Sequence, residues 1–271
     1  MTSQSAKAEA FQQLHAADGA FVIPNPWDAG SARMMQNLGF KALATTSSGF
    51  AQSLGRLDGQ VSLEEKLAHC RDLAAITDIP ISADLENGFG DSPEAVAECI
   101  ARAAETGLVG GSIEDYTGDP AAPMYDFELS VERVAAAVEA VRAQPFPFTL
   151  TARAENLLRV GPDLDEAIRR LKAYADAGAD VLYAPALKTL DEVRRVAAEV
   201  DKPINVLAST FKAHSLAELA DAGATRISLG GSLARLMAGV LLRTGREMLD
   251  EGSFRWLDGI AAPTEVDQAL A

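Results

Sequence analysis

Short β-rich runs alternate with amphipathic helical stretches along this chain, and that alternation leaves few folds open. The runs lie at 21–25, 43–47, 80–86, 110–115, 148–154, 180–185, 203–208 and 226–230. None shows strict polar alternation, as expected of strands buried on both faces of a parallel sheet. Helical patterns fill the intervals at 29–38, 63–77, 93–106, 129–143, 163–177, 189–199, 214–222 and 232–250. Ser62 stands ahead of one acidic first turn, and Ser92 with Pro93 starts another helix. Gly39, Gly107, Gly178 and Gly223 fall where a left-handed helix stop belongs. Eight strand–helix units over about 230 residues predict an α/β fold, a (β/α)8 TIM barrel. A doubly wound open sheet is the competitor, but no G-x-G-x-x-G follows the first strand. The expectation is one domain over 1–271, with a barrel core over 20–250 and a tail over 251–271.

The 271 residues are 48% hydrophobic and 23% charged, which suits an ordinary globular core. The formal net charge of −15 argues against nucleic-acid partners and against an anionic membrane surface. The first residues lack a signal-peptide core, and no apolar run reaches membrane-spanning length. Cys70 and Cys99 have no metal-ligand spacing and read as buried thiols in a reducing compartment. The expected location is cytoplasmic.

In such a barrel the reacting groups sit at the C-terminal ends of the strands. Those ends here are polar. They carry Asn25 to Asp28, Thr45 to Gly49, Asp84 and Glu86, Glu114 and Asp115, Arg153 and Glu155, and Asn205 with Ser209 and Thr210. A single acid after a strand is usually a helix cap or a solvated loop residue; Asp28 and Asp91 fit that, and Asp115 reads as the first exposed loop residue. Carboxylates on several strands facing one axis are harder to dismiss, because barrel interiors are usually packed with Val, Ile and Leu.

Alternation places Asp84 and Glu86 on one face of one strand end. Two ionised carboxyls about 6 Å apart repel by roughly 2.8 kcal/mol at an effective dielectric of about 20, or about two pKa units. Glu114 adds to the crowding, so the site must protonate a group or recruit a cation. Oxygen ligands with no His or Cys suit Mg²⁺ or Mn²⁺ better than zinc. The Thr46–Phe50 segment offers hydroxyls and a Gly-relieved backbone for a carboxylate. Arg153 is open to two roles, pairing with a neighbouring acid or gripping a substrate carboxylate.

The segments TTSSGF…LGRLDG, ADLENGFGD, GGSIED and TARAE, in this order, resemble the isocitrate lyase/phosphoenolpyruvate mutase superfamily over about residues 20 to 245. The resemblance implies a barrel, Mg²⁺, and a small 2-oxo or 2-hydroxy carboxylate whose C–C or P–C bond is made or broken through an enolate-like intermediate. By position it implies that Ser48, Gly49 and Phe50 cradle the carboxylate, that Asp58 lies near the metal, and that Asp84 is the main metal acid with Glu86 and Glu114 beside it. It gives Arg153 to the substrate carboxylate. Asn205, at the end of strand seven, is a further substrate-binding candidate. It also implies a helix at 231–249 exchanged between subunits, hence a homodimer or homotetramer.

The departures narrow the chemistry. Glu86 stands where the family usually has Asp. The lyase K-[KR]-C-G-H loop is replaced by YTGDPAAPMYDFE, which also lacks the Lys and Asn of the phosphonate branch. Pro185 stands near the position of the mutases' His. The leading expectation is therefore a Mg²⁺-dependent decarboxylase, lyase or hydrolase of oxaloacetate or phosphonopyruvate type. The alternative is a catalytically weak carboxylate-binding or scaffold protein. A Schiff-base aldolase fares poorly, because Lys188 lies beyond strand six.

Overall fold

The computed structural model describes residues 2–271. All eight expected strands form: β1 Phe21–Ile23, β2 Leu43–Ala44, β3 Ile81–Asp84, β4 Gly110–Glu114, β5 Thr149–Arg153, β6 Val181–Tyr183, β7 Ile204–Leu207 and β8 Arg226–Ser228. Parallel ladders connect them in the order β1-β8-β7-β6-β5-β4-β3-β2. The Ala44 N–H donates to the Pro24 carbonyl at 3.0 Å, which bridges β2 to the end of β1 and closes the ring. The architecture is a (β/α)8 TIM barrel.

The helices around it are α1 Gln4–Ala16, α2 Ala29–Asn37, α3 Ser47–Ser53, α4 Leu63–Ile76, α5 Pro93–Ala104, α6 Phe127–Arg142, α7 Asn156–Arg159, α8 Leu164–Ala177, α9 Leu190–Glu199, α10 Leu216–Asp221, α11 Ser232–Glu251 and α12 Pro263–Leu270. The cap signals act as the sequence suggests. Ser92 accepts from Ala95 N–H with Pro93 opening α5, and Ser62 and Glu65 form a reciprocal capping box on α4. Gly178 ends α8 at φ 107°.

Leu43, Ile81, Ile100, Leu108, Leu150 and Leu182 are almost fully buried between the sheet's outer face and the helices. Each such side chain contributes about 1.5–3 kcal/mol of burial. The inner face corrects an expectation. The barrel's interior is largely polar rather than filled with aliphatic side chains: Thr45, Ser82, Ser112, Tyr183, Asn205 and Arg226 line one axial cavity of about 210 Å³, beside Ile23 and Leu207.

Helix α1, which the pattern missed, lies across the N-terminal end of the barrel. It buries Phe11 completely and sets His15 edge-on to Phe21 at 5.1 Å. The tail is also ordered: α12 packs on α2, and Asn37 Nδ2 donates to the Ala269 carbonyl at 3.0 Å. Helix α11 stands off its own barrel. Only Ala234 of its 20 residues is buried, while Leu236, Met237, Leu241, Leu242 and Leu249 are exposed. Among the described residues, no helix is long and apolar enough to cross a membrane.

Candidate active site at the barrel mouth

Arg153 at the end of β5 organises the site. Its Nη1 reaches Asp84 Oδ1 at 3.1 Å, and Nη2 reaches Glu114 Oε2 at 2.9 Å and Glu155 Oε1 at 2.7 Å. Register explains the meeting, since Glu114 pairs with Arg153 across β4–β5 and Asp84 pairs with Ser112 across β3–β4. Arg159 adds a second cation at Glu155 Oε2, 3.1 Å away. Of the two roles open to Arg153, the structure shows the pairing with neighbouring acids.

Asp84 is locked in place. The Ser47 N–H donates to its Oδ2 at 3.2 Å and the Glu86 N–H to its Oδ1 at 3.3 Å. Burial opposes its ionisation, but Arg153, Lys66 and the Ser47 N–H outweigh burial and hold the carboxyl below its usual range. Glu114 goes the other way. Burial pushes its pKa well up, and Glu155 and Asp84 add to this against the pull of Arg153. Arg153 itself stays firmly charged: burial works against it, and Glu114, Glu155 and Asp84 overcome that.

Glu86 departs from the strand alternation expected of it. The strand stops at Asp84, and Glu86 takes a left-handed φ of 53°, rare for a residue with a side chain. Its carbonyl accepts from Glu114 N–H at 2.9 Å, which fixes this conformation. The side chain thus reaches a neighbouring cleft of about 450 Å³, shared with Asp58, Glu114 and Arg153. Its pKa is raised from 4.5 to about 7, first by burial, then by Asp84 and Asp58, with Lys66 opposing. The direction matches the repulsion argument, but desolvation outranks repulsion as its cause.

Hydrogen bonds from Arg133 hold the loop after Glu86. Arg133, 2% exposed, donates to the Gly90 carbonyl at 2.7 Å and also to the carbonyls of Asn87 and Asp91. Gly88 has φ 81°, and a Cβ on Gly90 would sit 2.6 Å from Ala95 Cβ. These glycines let the turn pack against α5.

Ser48 lines the axial cavity together with Ser47, Asp58, Asp84 and Arg153. Gly49 and Phe50 do not. The expected loop is the first turn of α3, capped by Thr46, whose Oγ1 accepts from Gly49 N–H at 3.3 Å and whose carbonyl accepts from Phe50 N–H at 3.1 Å. The Phe50 ring stacks on His69 at 3.8 Å. Asn205 lines the cavity, but its amide is occupied: Oδ1 accepts from Arg226 Nε at 2.8 Å and Nδ2 donates to Ser228 Oγ at 2.9 Å. Asp28 caps α2, as read. Asp115 is not an exposed loop residue. It is 3% exposed and accepts from Tyr174 Oη, Arg170 Nη1 and Glu155 N–H at 2.5, 3.0 and 2.8 Å.

Four cations at the site were not anticipated: Lys66, Arg159, Arg226 and Arg235. Lys66 is fully buried, with no hydrogen-bond partner for its Nζ, 5.7 Å from the Phe50 centroid. Its position between Leu63 and Leu67 on the buried stripe of α4 was the signal for it. Arg226 begins the alternation that carries Ser228 to the same inner face of β8. Arg235 gave no pattern to find.

A divalent cation fits this donor set. Among the described residues, no three His, Cys, Asp or Glu side chains form a closed cage. Mg²⁺ does not need one, because it binds through one or two carboxylates and keeps several waters. Asp84 is held ionised, while burial pushes Glu86 and Glu114 towards protonation.

Known proteins share this architecture. The family model for phosphoenolpyruvate phosphomutase matches residues 11–249. A 2-methylisocitrate lyase of Salmonella typhimurium is 32% identical over 216 residues, covering 77% of this chain and 72% of its own. A provisional lyase/mutase of Burkholderia cenocepacia J2315 superposes with a TM-score of 0.94 and 51% identity, over 99% of this chain and 96% of its own. A phosphonopyruvate hydrolase in complex with oxalate and Mg²⁺ has the same fold, with a TM-score of 0.85 and 22% identity over 99% of this chain and 95% of its own. The chain is a member of the phosphoenolpyruvate mutase family, within the isocitrate lyase/phosphoenolpyruvate mutase superfamily of lyases, mutases and hydrolases.

Proposed function

We propose that this protein is a Mg²⁺-dependent enzyme that cleaves a C–C or P–C bond of a small 2-oxo or 2-hydroxy carboxylate through an enolate-like intermediate. Decarboxylation, lysis or hydrolysis of an oxaloacetate- or phosphonopyruvate-type substrate is the reaction class. One observation carries the reading: Asp84, Glu86, Glu114 and Asp58 crowd a mouth where Arg153 is already shared by three acids.

Asp84 would hold the cation (Mn²⁺ as a substitute), with Glu86 and Glu114 bonding its waters. Bound there, it would supply positive charge to the substrate's carboxylate and 2-oxo oxygens. Ser48 would orient the substrate carboxylate. The Gly49 N–H caps on Thr46 Oγ1 and so holds Ser48 in the first turn of α3 beside the cavity. Arg153 keeps the acids in position and favours negative charge nearby. Burial raises the Glu114 pKa, the direction that a proton donor to carbon needs. Asp58, exposed at the rim, borders both cavities.

Turnover of oxaloacetate, phosphonopyruvate and 2-methylisocitrate with Mg²⁺ tests this. Activity on one of them should fall at least about a thousandfold in Asp84→Ala, the range expected when charge stabilisation is removed. Equal turnover by the variant would sink the assignment.

A second reading rests on the loop after β4. An antiparallel bridge from Tyr116 to Met124 folds it back, and it carries no Cys, Lys or His to finish the chemistry. A protein that binds oxalate with Mg²⁺ but turns over no candidate would be a carboxylate-binding relative. In either case the exposed leucines of α11 favour a homodimer or homotetramer. Light scattering should show at least a dimer for the wild type and a smaller species for Leu241→Glu; a wild-type monomer contradicts this.

A further inference from the structure

The axial cavity is electrically two-sided. Its β3–β5 wall carries Asp84 and Arg153, with charges that largely offset each other; Asp58 also borders the cavity, as does Arg159, which is paired with Glu155. Its β8–α11 wall carries Arg226 and Arg235, and the segment 226–235 that forms it contains no acid. Neither guanidinium is in a salt bridge among the described residues. Arg226 is 5% exposed and donates only to neutral groups: Asn205 Oδ1 at 2.8 Å, Thr151 Oγ1 at 3.0 Å and the His15 ring nitrogen at 3.4 Å. Arg235, on the first turn of α11, is solvent-accessible and borders the same cavity.

Backbone geometry keeps that wall open. Asn25 Oδ1 accepts from the Leu229 and Gly230 N–H groups at 2.8 and 2.9 Å, fixing the turn between β8 and α11. A Cβ on Gly231 would lie 2.4 Å from Ser48 Oγ, so only glycine brings this turn against the proposed carboxylate cradle. A ligand oriented by Ser48 therefore has the Arg235 wall beside it.

We propose that this wall is a second anion subsite and that the substrate is a dicarboxylate, its distal carboxylate on Arg235 above the buried charge of Arg226. The inference rests on the functional reading above, in which the acidic wall takes the cation and the 2-oxo or 2-hydroxy carboxylate. A guanidinium fork matches a planar carboxylate through two parallel hydrogen bonds. An uncompensated buried guanidinium below it disfavours a ligand whose distal end is neutral. A phosphonate carries a third oxygen and close to a second charge, for which this wall offers one accessible guanidinium.

Calorimetry in saturating Mg²⁺ with malate, lactate and oxalate separates the claims. Malate and lactate share the 2-hydroxy carboxylate and differ by the distal carboxylate; oxalate fills the cation side alone. Wild type should bind malate at least about tenfold tighter than lactate, the effect of one charge-assisted hydrogen bond. Arg235→Met should bring that ratio close to one and leave oxalate affinity within about twofold, while Arg235→Lys should keep part of the preference. A malate preference that survives Arg235→Met, or no preference in wild type, overturns the subsite. Failure of wild type to bind oxalate at all would instead overturn the functional reading, and the subsite with it.

Discussion

Arg153 and Arg226 are the same side chain in the same barrel, Arg226 buried and Arg153 largely so, in opposite electrical surroundings. Arg153 touches three carboxylates, and these raise its pKa well above the usual value despite burial. Arg226 touches none, and burial lowers its pKa to about 10. Burial alone does not decide what a buried charge does; its partners decide. Arg153 is a fixed part of an acid network, while Arg226 is a charge held in reserve by neutral hydrogen bonds.

The largest contrast is in stability. Arg153→Met leaves Asp84 and Glu114 without their cation and Glu155 with Arg159 alone, so unfolding in urea should show a loss of about 3–5 kcal/mol, the usual cost of breaking a buried pair from one side. A loss below 1 kcal/mol would mean that the acids find protons or water at little cost.

Next comes a pH effect at the lower end of the barrel. Burial, reinforced by the Arg226 charge, lowers the His15 pKa from 6.5 to about 3, against the bond to the Phe11 carbonyl. The folded value lies below the unfolded one, so the unfolded chain binds the extra proton between these limits. The His15 contribution is therefore complete above pH 6.5 and is lost as pH falls towards 3, by at most about 1.4 kcal/mol per pH unit. His15→Phe should flatten that part of the stability–pH curve. An unchanged slope would place the acid sensitivity elsewhere.

The smallest effect is that of Arg226→Met in urea. Removing an unpaired buried guanidinium should change stability by less than about 1 kcal/mol, because lost hydrogen bonds are offset by relief of desolvation. It should also weaken the His15 pH dependence. A loss as large as that of Arg153→Met would erase the distinction between the two arginines.

The strands were legible because burial on both faces leaves continuous apolar runs at regular spacing. The carboxylates at the mouth were legible because acids are costly inside a barrel and stand out against those runs. Other features depended on backbone geometry. Ser47–Ser53 has poor helix formers at its start, so α3 read as a loop until Thr46 capped it. Glu86 broke the alternation with a positive φ that its residue type does not announce. Asp115 looked like a loop residue because Tyr174 and Arg170, which bury it, come more than fifty residues later. Arg226 hid in the same way: only closure of the barrel brings Asn205, Thr151 and His15 around it.

The central claim is that the acids at the mouth form a divalent-cation site anchored on Asp84. Titration with Mn²⁺ followed by electron paramagnetic resonance reads it directly, without a known substrate. The account predicts one site per chain, tightened by oxalate and absent in a folded Asp84→Ala variant. Equal Mn²⁺ binding by that variant, or none by the wild type with oxalate present, would contradict it.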